Sequence, residues 1–271
     1  MLAPAWRILG ANPRHNSPMS LRIYLAGRAA IEAAGAWIAE DAFPGRQGVV
    51  MFARLAIDRG QATSRESLAQ TLWPSELPRA WESALNALAS KLRSLLGRAG
   101  LDKGESIASA FGCYQLNLPA GTWIDVEAAA DAIHEAEGHL RAGDLRACWS
   151  SAQVAYHIAR RSFLPGEKVP WVEAQRERLG AVHARACECL AEAYVWNGEP
   201  QIAVDIAREL TEIQPYRETG YQLLMRAHAA AGNRAEALRV YERCRELISR
   251  ELGVAPSAQT QSVHHDVLRR R

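Results

Sequence analysis

A polar stretch flanked by apolar residues is the part of the chain best suited to contact another molecule. Asn86, Lys91 and Arg93 alternate with apolar residues that recur every three or four positions. That spacing predicts an amphipathic helix. An amide can read base edges in the major groove of DNA, and cationic side chains can hold phosphates. Periodicity alone favours a plainer interpretation, in which this face is the solvated side of a helix. The predicted buried stripe comprises Ala84, Leu85, Leu88, Leu92, Leu95 and Leu96.

Catalytic chemistry has no recognisable motif in this sequence. The phosphate-binding pattern G-x-x-x-x-G-K-[ST] is absent, as are the patterns G-x-S-x-G and H-E-x-x-H. The eight histidines are dispersed and have no paired nucleophile. We therefore expect a protein that is not an enzyme.

The cysteines indicate neither a disulfide framework nor a metal site. They are five in number, scattered, and form no C-x-x-C pair. Cys187 and Cys189 lie two apart on a predicted helix, so they point to different faces. We expect the cysteines to be small apolar core residues, with no metal and no cofactor. The five are Cys113, Cys148, Cys187, Cys189 and Cys244.

The composition is typical of a folded protein and predicts no membrane-spanning helix. Of its 271 residues, 48% are apolar and 23% are charged, and no window approaches eighteen consecutive apolar residues. Residues 1–20 lack the apolar block of a secretory signal, which predicts a cytoplasmic location. Residues 1–120 carry 13 Lys and Arg against 9 Asp and Glu, whereas the remainder carries 19 against 21. The N-terminal part is therefore the better candidate for an acidic partner.

The first 120 residues follow the element order of a winged helix. Residues 1–19 are predicted to be a flexible arm, or an upstream extension if translation starts at Met19. Three short strands are predicted within residues 21–43, and a helix follows Gly45. Ser64 is a candidate cap for a second helix that Pro74 ends, and a third helix runs from near Pro78 to about Leu96. A hairpin is predicted at residues 107–110 and 114–118. It completes a winged-helix domain that spans residues 20–120.

The remainder, residues 121–271, is predicted to be an α-solenoid of helical hairpins. Gly198 and Gly232 are 34 residues apart, as are Ala203 and Ala237, which is the tetratricopeptide (TPR) period. A small residue is needed at the two alanine positions because two helices cross there. We expect the tryptophans at 81, 123, 149, 171 and 196 to be packing residues. Helices are predicted near residues 125–142, 144–161, 171–197, 200–214, 217–231, 234–251 and 257–269.

Several motifs of the C-terminal part resemble the bacterial transcriptional activator domain. They are Tyr216-Arg217-Glu218, the segment 223–227, the segment 231–241 and the segment 251–256. In that family, which includes the Streptomyces antibiotic regulatory proteins, this domain follows an OmpR-type winged helix. The segments 64–68, 72–74 and 91–93 are similar to that winged helix, and the resemblance covers roughly residues 20 to 268.

The resemblance implies roles for individual residues. The third helix would enter the major groove, with Ser83, Asn86, Ala87 and Ser90 as candidates for base edges. Lys91 and Arg93 would meet phosphates, as would Arg65 and the indole N–H of Trp73. The loop formed by Ser75, Glu76, Leu77 and Pro78 matches a segment that meets RNA polymerase. Phe111 stands in the hairpin where the family often has a basic residue that reaches the minor groove.

Two functions follow as expectations. The first is a transcription regulator, an activator that binds double-stranded DNA at promoter direct repeats, with two protomers on the repeat, and contacts RNA polymerase. In this case the helical array mediates protomer contacts or receives a peptide or small-molecule effector. The second is an interaction adaptor whose winged helix has lost its DNA role. Phe111 in the wing and the weak net charge favour the second.

Overall fold

A computed structural model describes residues 21–33 and 35–269, and the arm predicted at residues 1–19 lies outside them. The chain forms two compact units. The first comprises the described residues up to Asp125 together with Leu164–Glu173. The second comprises Val126–Phe163 and the chain from Ala174 onward. In the described part of the chain, no helix is both long enough and apolar enough to cross a bilayer.

A four-stranded sheet opens the first unit. Strands β1 (Arg22–Tyr24), β2 (Ala30–Ala33) and β3 (Ala36–Ile38) are antiparallel, as predicted. A fourth strand, β7 (Trp123–Ile124), runs parallel to β1 and was not predicted. The register places one buried isoleucine of each strand in a row across the sheet, which sets one face against the core. The row consists of Ile38, Ile31, Ile23 and Ile124.

Three helices follow the first three strands, after a short 3-10 turn at Glu40–Ala42. They are α1 (Gly45–Ile57), α2 (Arg65–Leu72) and α3 (Trp81–Arg98). Ser64 caps α2, since its Oγ accepts a hydrogen bond from the Ser67 amide at 3.1 Å. Helix α3 begins later than predicted because Pro78 lies in the preceding turn, where its carbonyl accepts from the Trp81 amide.

The leucine stripe of α3 packs into the core of the first unit. Leu85, Leu88, Leu92, Leu95 and Leu96 are buried, as the spacing predicts. Ala89 completes the stripe, whereas Ala84 is only half-buried and was wrongly included. With these apolar residues directed inward, the opposite face of α3 is left to polar side chains.

A second, three-stranded sheet forms the wing. Strand β6 (Cys113–Leu116) lies between β4 (Thr63–Ser64) and β5 (Ile107–Ala110), and both pairings are antiparallel. Phe111 and Gly112 join β5 to β6, and both have positive φ, 51° and 73°. Two such residues between paired strands make the turn that suits the twist of a β-hairpin. The first unit therefore has the winged-helix architecture that its element order predicted.

The second unit contains the helical hairpins, whose helix bounds lie within two residues of the predicted ones. Positive φ values at Gly143, Gly198 and Gly232 turn the chain between successive helices. Ala203 and Ala237 are fully buried where helices cross. The helices are α4 (Asp125–Ala142), α5 (Leu145–Ala159), α6 (Pro170–Trp196), α7 (Pro200–Ile213), α8 (Glu218–Ala230), α9 (Arg234–Leu252) and α10 (Ala258–Arg269).

The prediction that the cysteines and the five tryptophans pack in the interior is confirmed only in part. Cysteines 148, 187, 189 and 244 are buried, whereas Cys113 in the wing is half-buried. The expectation that Trp149 and Trp196 are packing residues was wrong, because both side chains are exposed. Trp149 follows a buried cysteine on α5, and Trp196 ends α6, where the hairpin turn begins.

Candidate nucleic-acid interface

The outward side of α3 presents a continuous exposed surface. We call this surface, formed by Ser83, Asn86, Ala87, Ser90 and Lys91, the α3 face. Its residues are spaced three or four apart or directly adjacent, so they share one side of the helix. The five side chains are small, polar or cationic, which leaves room for a partner molecule to approach the helix closely.

Asn86 is held in place by the wing. The hydroxyl of Tyr114 on β6 donates a hydrogen bond to Asn86 Oδ1 at 2.5 Å. The Tyr114 ring is only 1% exposed, so it is a rigid support between β6 and α3. Because the tyrosine engages the carbonyl side of the amide, the NH₂ group of Asn86 offers donors to an acceptor such as a purine N7.

Arg65 lies at the junction of α2 and the wing. Its amide donates to the Gly112 carbonyl at 2.9 Å, and its Nη2 donates to Ser109 Oγ at 3.2 Å. The guanidinium carbon also stands 5.3 Å from the centre of the Tyr114 ring. These contacts keep a positive charge beside the wing, in a position suited to a phosphate.

Arg93 acts first as a brace inside the first unit. Its Nε and Nη2 both donate to the Ile107 carbonyl, at 2.9 and 2.8 Å. The side chain therefore ties α3 to β5 and is half-buried. The Nη1 amino group and the second hydrogen of Nη2 are left for the phosphate contact expected from the sequence.

Phe111 forms the tip of the wing. Its side chain is fully exposed, with a relative accessibility of 104%. Its φ of 51° lies in the left-handed region, which is unfavourable for a bulky residue. An exposed aromatic ring in an unfavourable backbone conformation at a hairpin tip contributes nothing to the core of the described structure.

The remaining expected contacts lie on the connection between α2 and α3. Trp73 follows α2 and is half-buried, with its amide donating to the Ala69 carbonyl at 2.8 Å. All four residues of the segment 75–78 are exposed. Carboxylates are interspersed here, at Glu76 in this segment and Glu82 in the first turn of α3. The surface around α3 is therefore of mixed charge rather than strongly cationic.

Comparison with known proteins gives this architecture a family. The model of the bacterial transcriptional activator domain matches residues 124–268, more than half of the chain. The chain belongs to this family.

The chain is also similar to larger regulatory proteins. Regulatory protein AfsR of Streptomyces coelicolor is 30% identical over 218 residues, which cover 80% of this chain and 21% of AfsR. Transcriptional regulatory protein EmbR of Mycobacterium tuberculosis is 26% identical over 82% of this chain and 57% of EmbR. The chain thus spans about a fifth of the first relative and just over half of the second.

A solved structure has the same fold. Mycobacterium tuberculosis EmbR, in complex with a low-affinity phosphopeptide, superposes with a TM-score of 0.83 over 93% of this chain and 65% of that one. Sequence identity between the two is 23%. The winged helix followed by helical repeats is therefore an architecture that this chain shares with the solved EmbR structure.

Sequence reasoning placed the α3 face correctly on the outside of its helix but missed what supports it. Tyr114 received no functional role, although it contacts both Asn86 and Arg65. Its partners lie 28 and 49 residues away in the sequence. Both contacts arise from the packing of the wing against α2 and α3, so local sequence did not indicate them.

Proposed function

We propose that this chain is a DNA-binding transcriptional activator that acts in the cytoplasm and has no catalytic activity. Helix α3 enters the major groove, and two protomers occupy a promoter direct repeat. The observation that supports this most directly is the exposed α3 face, braced by Tyr114 beside a wing. Membership of the bacterial transcriptional activator domain family, whose relatives above are named as regulators, supports it independently.

Each side chain has a role set by its chemistry. Asn86 donates to a base acceptor, and Ser83 and Ser90 offer hydroxyls to neighbouring base edges. Ala87 makes apolar contact with a thymine methyl group. The phosphates are contacted by four groups: Lys91, Arg65, Nη1 of Arg93 and the indole N–H of Trp73. Phe111 makes apolar contact in the minor groove.

Two further partners belong to the proposal. The exposed segment 75–78 contacts RNA polymerase, and its location beside the DNA-reading helix supports this. The helical unit mediates contact between protomers or binds a peptide or small-molecule effector. Stacked helical hairpins create an extended surface that suits either role.

The test compares two single substitutions on the α3 face. Genomic fragments selected by the wild-type protein provide the DNA for gel retardation and footprinting. Lys91→Ala should weaken binding to all fragments alike and reduce the slope of log affinity against log salt by about 0.9, because one phosphate contact is lost. Asn86→Ala should relax preference at a single base position, at which discrimination falls by about 1–3 kcal/mol.

Arg239→Ala is the matched control because it removes an exposed cation from the helical unit. Its affinity and salt slope should equal those of the wild type. If Lys91→Ala and Asn86→Ala also leave DNA binding unchanged, α3 is not the helix that enters the groove.

A second candidate function is an interaction adaptor. The fully exposed Phe111 and the mixed charge around α3 favour it, because both reduce non-specific attraction to a polyanion. An adaptor would fail to retard genomic fragments even at low salt and would co-purify with a partner protein. Retardation that weakens linearly with log salt contradicts this alternative.

A further inference from the structure

Three side chains with different donor atoms meet inside the second unit. His183 and Cys187 lie one turn apart on α6, and Glu209 comes from the neighbouring helix α7. One nitrogen, one sulfur and one carboxylate oxygen lie within 4.8 Å of one another. The i, i+4 spacing on α6 places the first two on the same side of that helix.

The cluster is buried on the α6 side and reaches solvent on the α7 side. His183 is 8% exposed and Cys187 is fully buried, whereas the Glu209 side chain is 28% exposed. Nε2 of His183 is buried and makes no hydrogen bond to any described residue. A buried polar nitrogen without a hydrogen bond is unfavourable unless another partner is supplied.

The position of Glu209 suggests what that partner is. Its Oε1 lies 3.1 Å from His183 Nε2, although the two atoms do not have hydrogen-bond geometry. A neutral imidazole nitrogen and a carboxylate oxygen repel each other at this distance unless a proton or a cation lies between them. Two ligand atoms about 2.0–2.1 Å from a tetrahedral zinc ion are roughly 3.3 Å apart, close to the distance found here.

Tyr156 on α5 holds the carboxylate in this orientation. Its hydroxyl donates to the other oxygen of Glu209, Oε2, at 2.6 Å. A second hydrogen bond that orients a ligating side chain is typical of metal sites. The guanidinium of Arg160 lies 5.2 Å from the centre of the Tyr156 ring and places a positive charge beside this tyrosine.

We propose that His183, Cys187 and Glu209 bind one zinc-like divalent cation. Mixed nitrogen, sulfur and oxygen donors suit a borderline-soft ion such as Zn²⁺ or its spectroscopic substitute Co²⁺. The thiol releases its proton to solvent on binding, and the thiolate and carboxylate then balance the charge of the ion. Because Glu209 reaches solvent, water or an external ligand would complete four-coordination. The ion cross-links α6 to α7.

This proposal differs from the expectation that the cysteines are only apolar core residues and that the chain has no metal site. The expectation relied on the absence of C-x-x-C, but the His183/Cys187 spacing offers a different ligand pair. The third ligand lies 22 residues beyond Cys187, in the next helix. That contact depends on how α6 and α7 pack, so the sequence alone did not indicate it.

Titration of the reduced, metal-free full-length protein with Co²⁺ tests the proposal. We expect one equivalent to bind with a thiolate-to-cobalt charge-transfer absorption, which one equivalent of Zn²⁺ then removes. Cys187→Ala should abolish this absorption, and Glu209→Gln should weaken Co²⁺ binding by at least about 10-fold. Tyr156→Phe should weaken it by about 10-fold, as expected when a supporting hydrogen bond to a ligand is removed.

Cys244→Ala is the matched control because Cys244 is equally buried but lies on α9, outside the cluster. It should retain the charge-transfer absorption. Circular dichroism establishes that each variant is folded; if Cys187→Ala is not, Glu209→Gln and Tyr156→Phe provide the test. The proposal is overturned if the wild type shows no such absorption, if the absorption survives in folded Cys187→Ala, or if folded Glu209→Gln and Tyr156→Phe both bind Co²⁺ as the wild type does. These readouts do not involve DNA, so they are independent of the proposed function.

Discussion

Tyr114 shows how one buried side chain organises the candidate DNA-binding surface. Its hydroxyl orients Asn86 on α3, and its ring lies under the Arg65 guanidinium at the start of α2. A ring that is almost completely buried has few rotamers to choose from, so its two partners, the exposed Asn86 and the half-buried Arg65, are pre-organised. Two residues proposed to touch DNA therefore depend on a third that is itself out of reach.

Phe111 offers a test of the strain at the wing tip. Phe111→Asn should raise the free energy of unfolding by about 0.5–1 kcal/mol, because asparagine tolerates the left-handed backbone conformation far better than phenylalanine. No burial is lost, since the phenylalanine ring is fully exposed. Equilibrium unfolding in urea measures the change.

Ala110→Asn provides the comparison, because it places the same new side chain on an exposed strand residue next to the turn. Asparagine is unfavourable in strands, so this variant should not gain stability. An equal gain in both variants, or no gain in Phe111→Asn, would show that the left-handed conformation is not the source of strain.

The candidate site could be predicted in part. The spacing of Leu85, Leu88 and Leu92 was sufficient to place Asn86 and Lys91 on the outer face, because a helix has a fixed period. The role of Arg93 as a brace to the Ile107 carbonyl could not be predicted in the same way. A long side chain on a helix can contact solvent or a neighbouring strand, and only the tertiary packing decides between them.

Among the elements, the helices were predictable and the shortest strands were not. The helices of the second unit repeat an amphipathic pattern, and a glycine follows α4, α6, α8 and α9, so local sequence determines most of their bounds. Strands β4 and β7 have two residues each and exist only because distant partners pair with them. Ile124 pairs with Ile23 across about a hundred residues, and two residues carry too little pattern to indicate this.

The attachment of the last helix depends on a carboxylate at the start of α8. Glu218 accepts hydrogen bonds from the Ser257 amide at 2.9 Å and from the hydroxyls of Ser257 and Thr260. Burial acts to raise the pKa of Glu218, but these hydrogen bonds hold it below its ordinary value of 4.5. The ionised carboxylate is therefore the form that stabilises the junction with α10.

Glu218→Gln should lower the free energy of unfolding at neutral pH by about 1 kcal/mol, a value reduced by solvent screening of this partly exposed group. The depressed pKa gives the sign: the stabilisation is fully present above the pKa of the unfolded chain and is lost as pH falls through the lower folded value. The difference between wild type and variant should therefore shrink on acidification. Urea unfolding at a series of pH values measures it.

Glu246→Gln is the control for this effect, since Glu246 is an exposed glutamate on α9. It should change stability little at any pH in the series. A Glu218→Gln effect that stays constant down to acid pH would mean that ionisation of this carboxylate is not what stabilises the junction.

At the scale of the whole molecule, charge limits what one protomer can do. The chain carries a net charge of +2. The candidate phosphate contacts are few and stand among carboxylates such as Glu76 and Glu82. Affinity for DNA rises with the number of phosphates neutralised, so a single winged helix of this composition should bind weakly. In the proposed arrangement, binding as a pair on adjacent sites would supply the missing affinity through effective concentration.

The paired arrangement predicts how affinity depends on spacing between sites. A fragment carrying two copies of the selected sequence in direct repeat should bind about 100-fold more tightly than a fragment with one copy, and its salt slope should be about twice as steep. Inserting about 5 base pairs between the copies turns the second site to the opposite side of the duplex, since one helical turn takes about 10 base pairs. That insertion should abolish the gain, and inserting a full turn should restore part of it.

Gel retardation of the four fragments by the full chain measures these affinities. Equal affinity for the one-copy and two-copy fragments would mean that each protomer binds alone. The contacts of a single α3 face would then have to offset the weak positive charge of the winged helix.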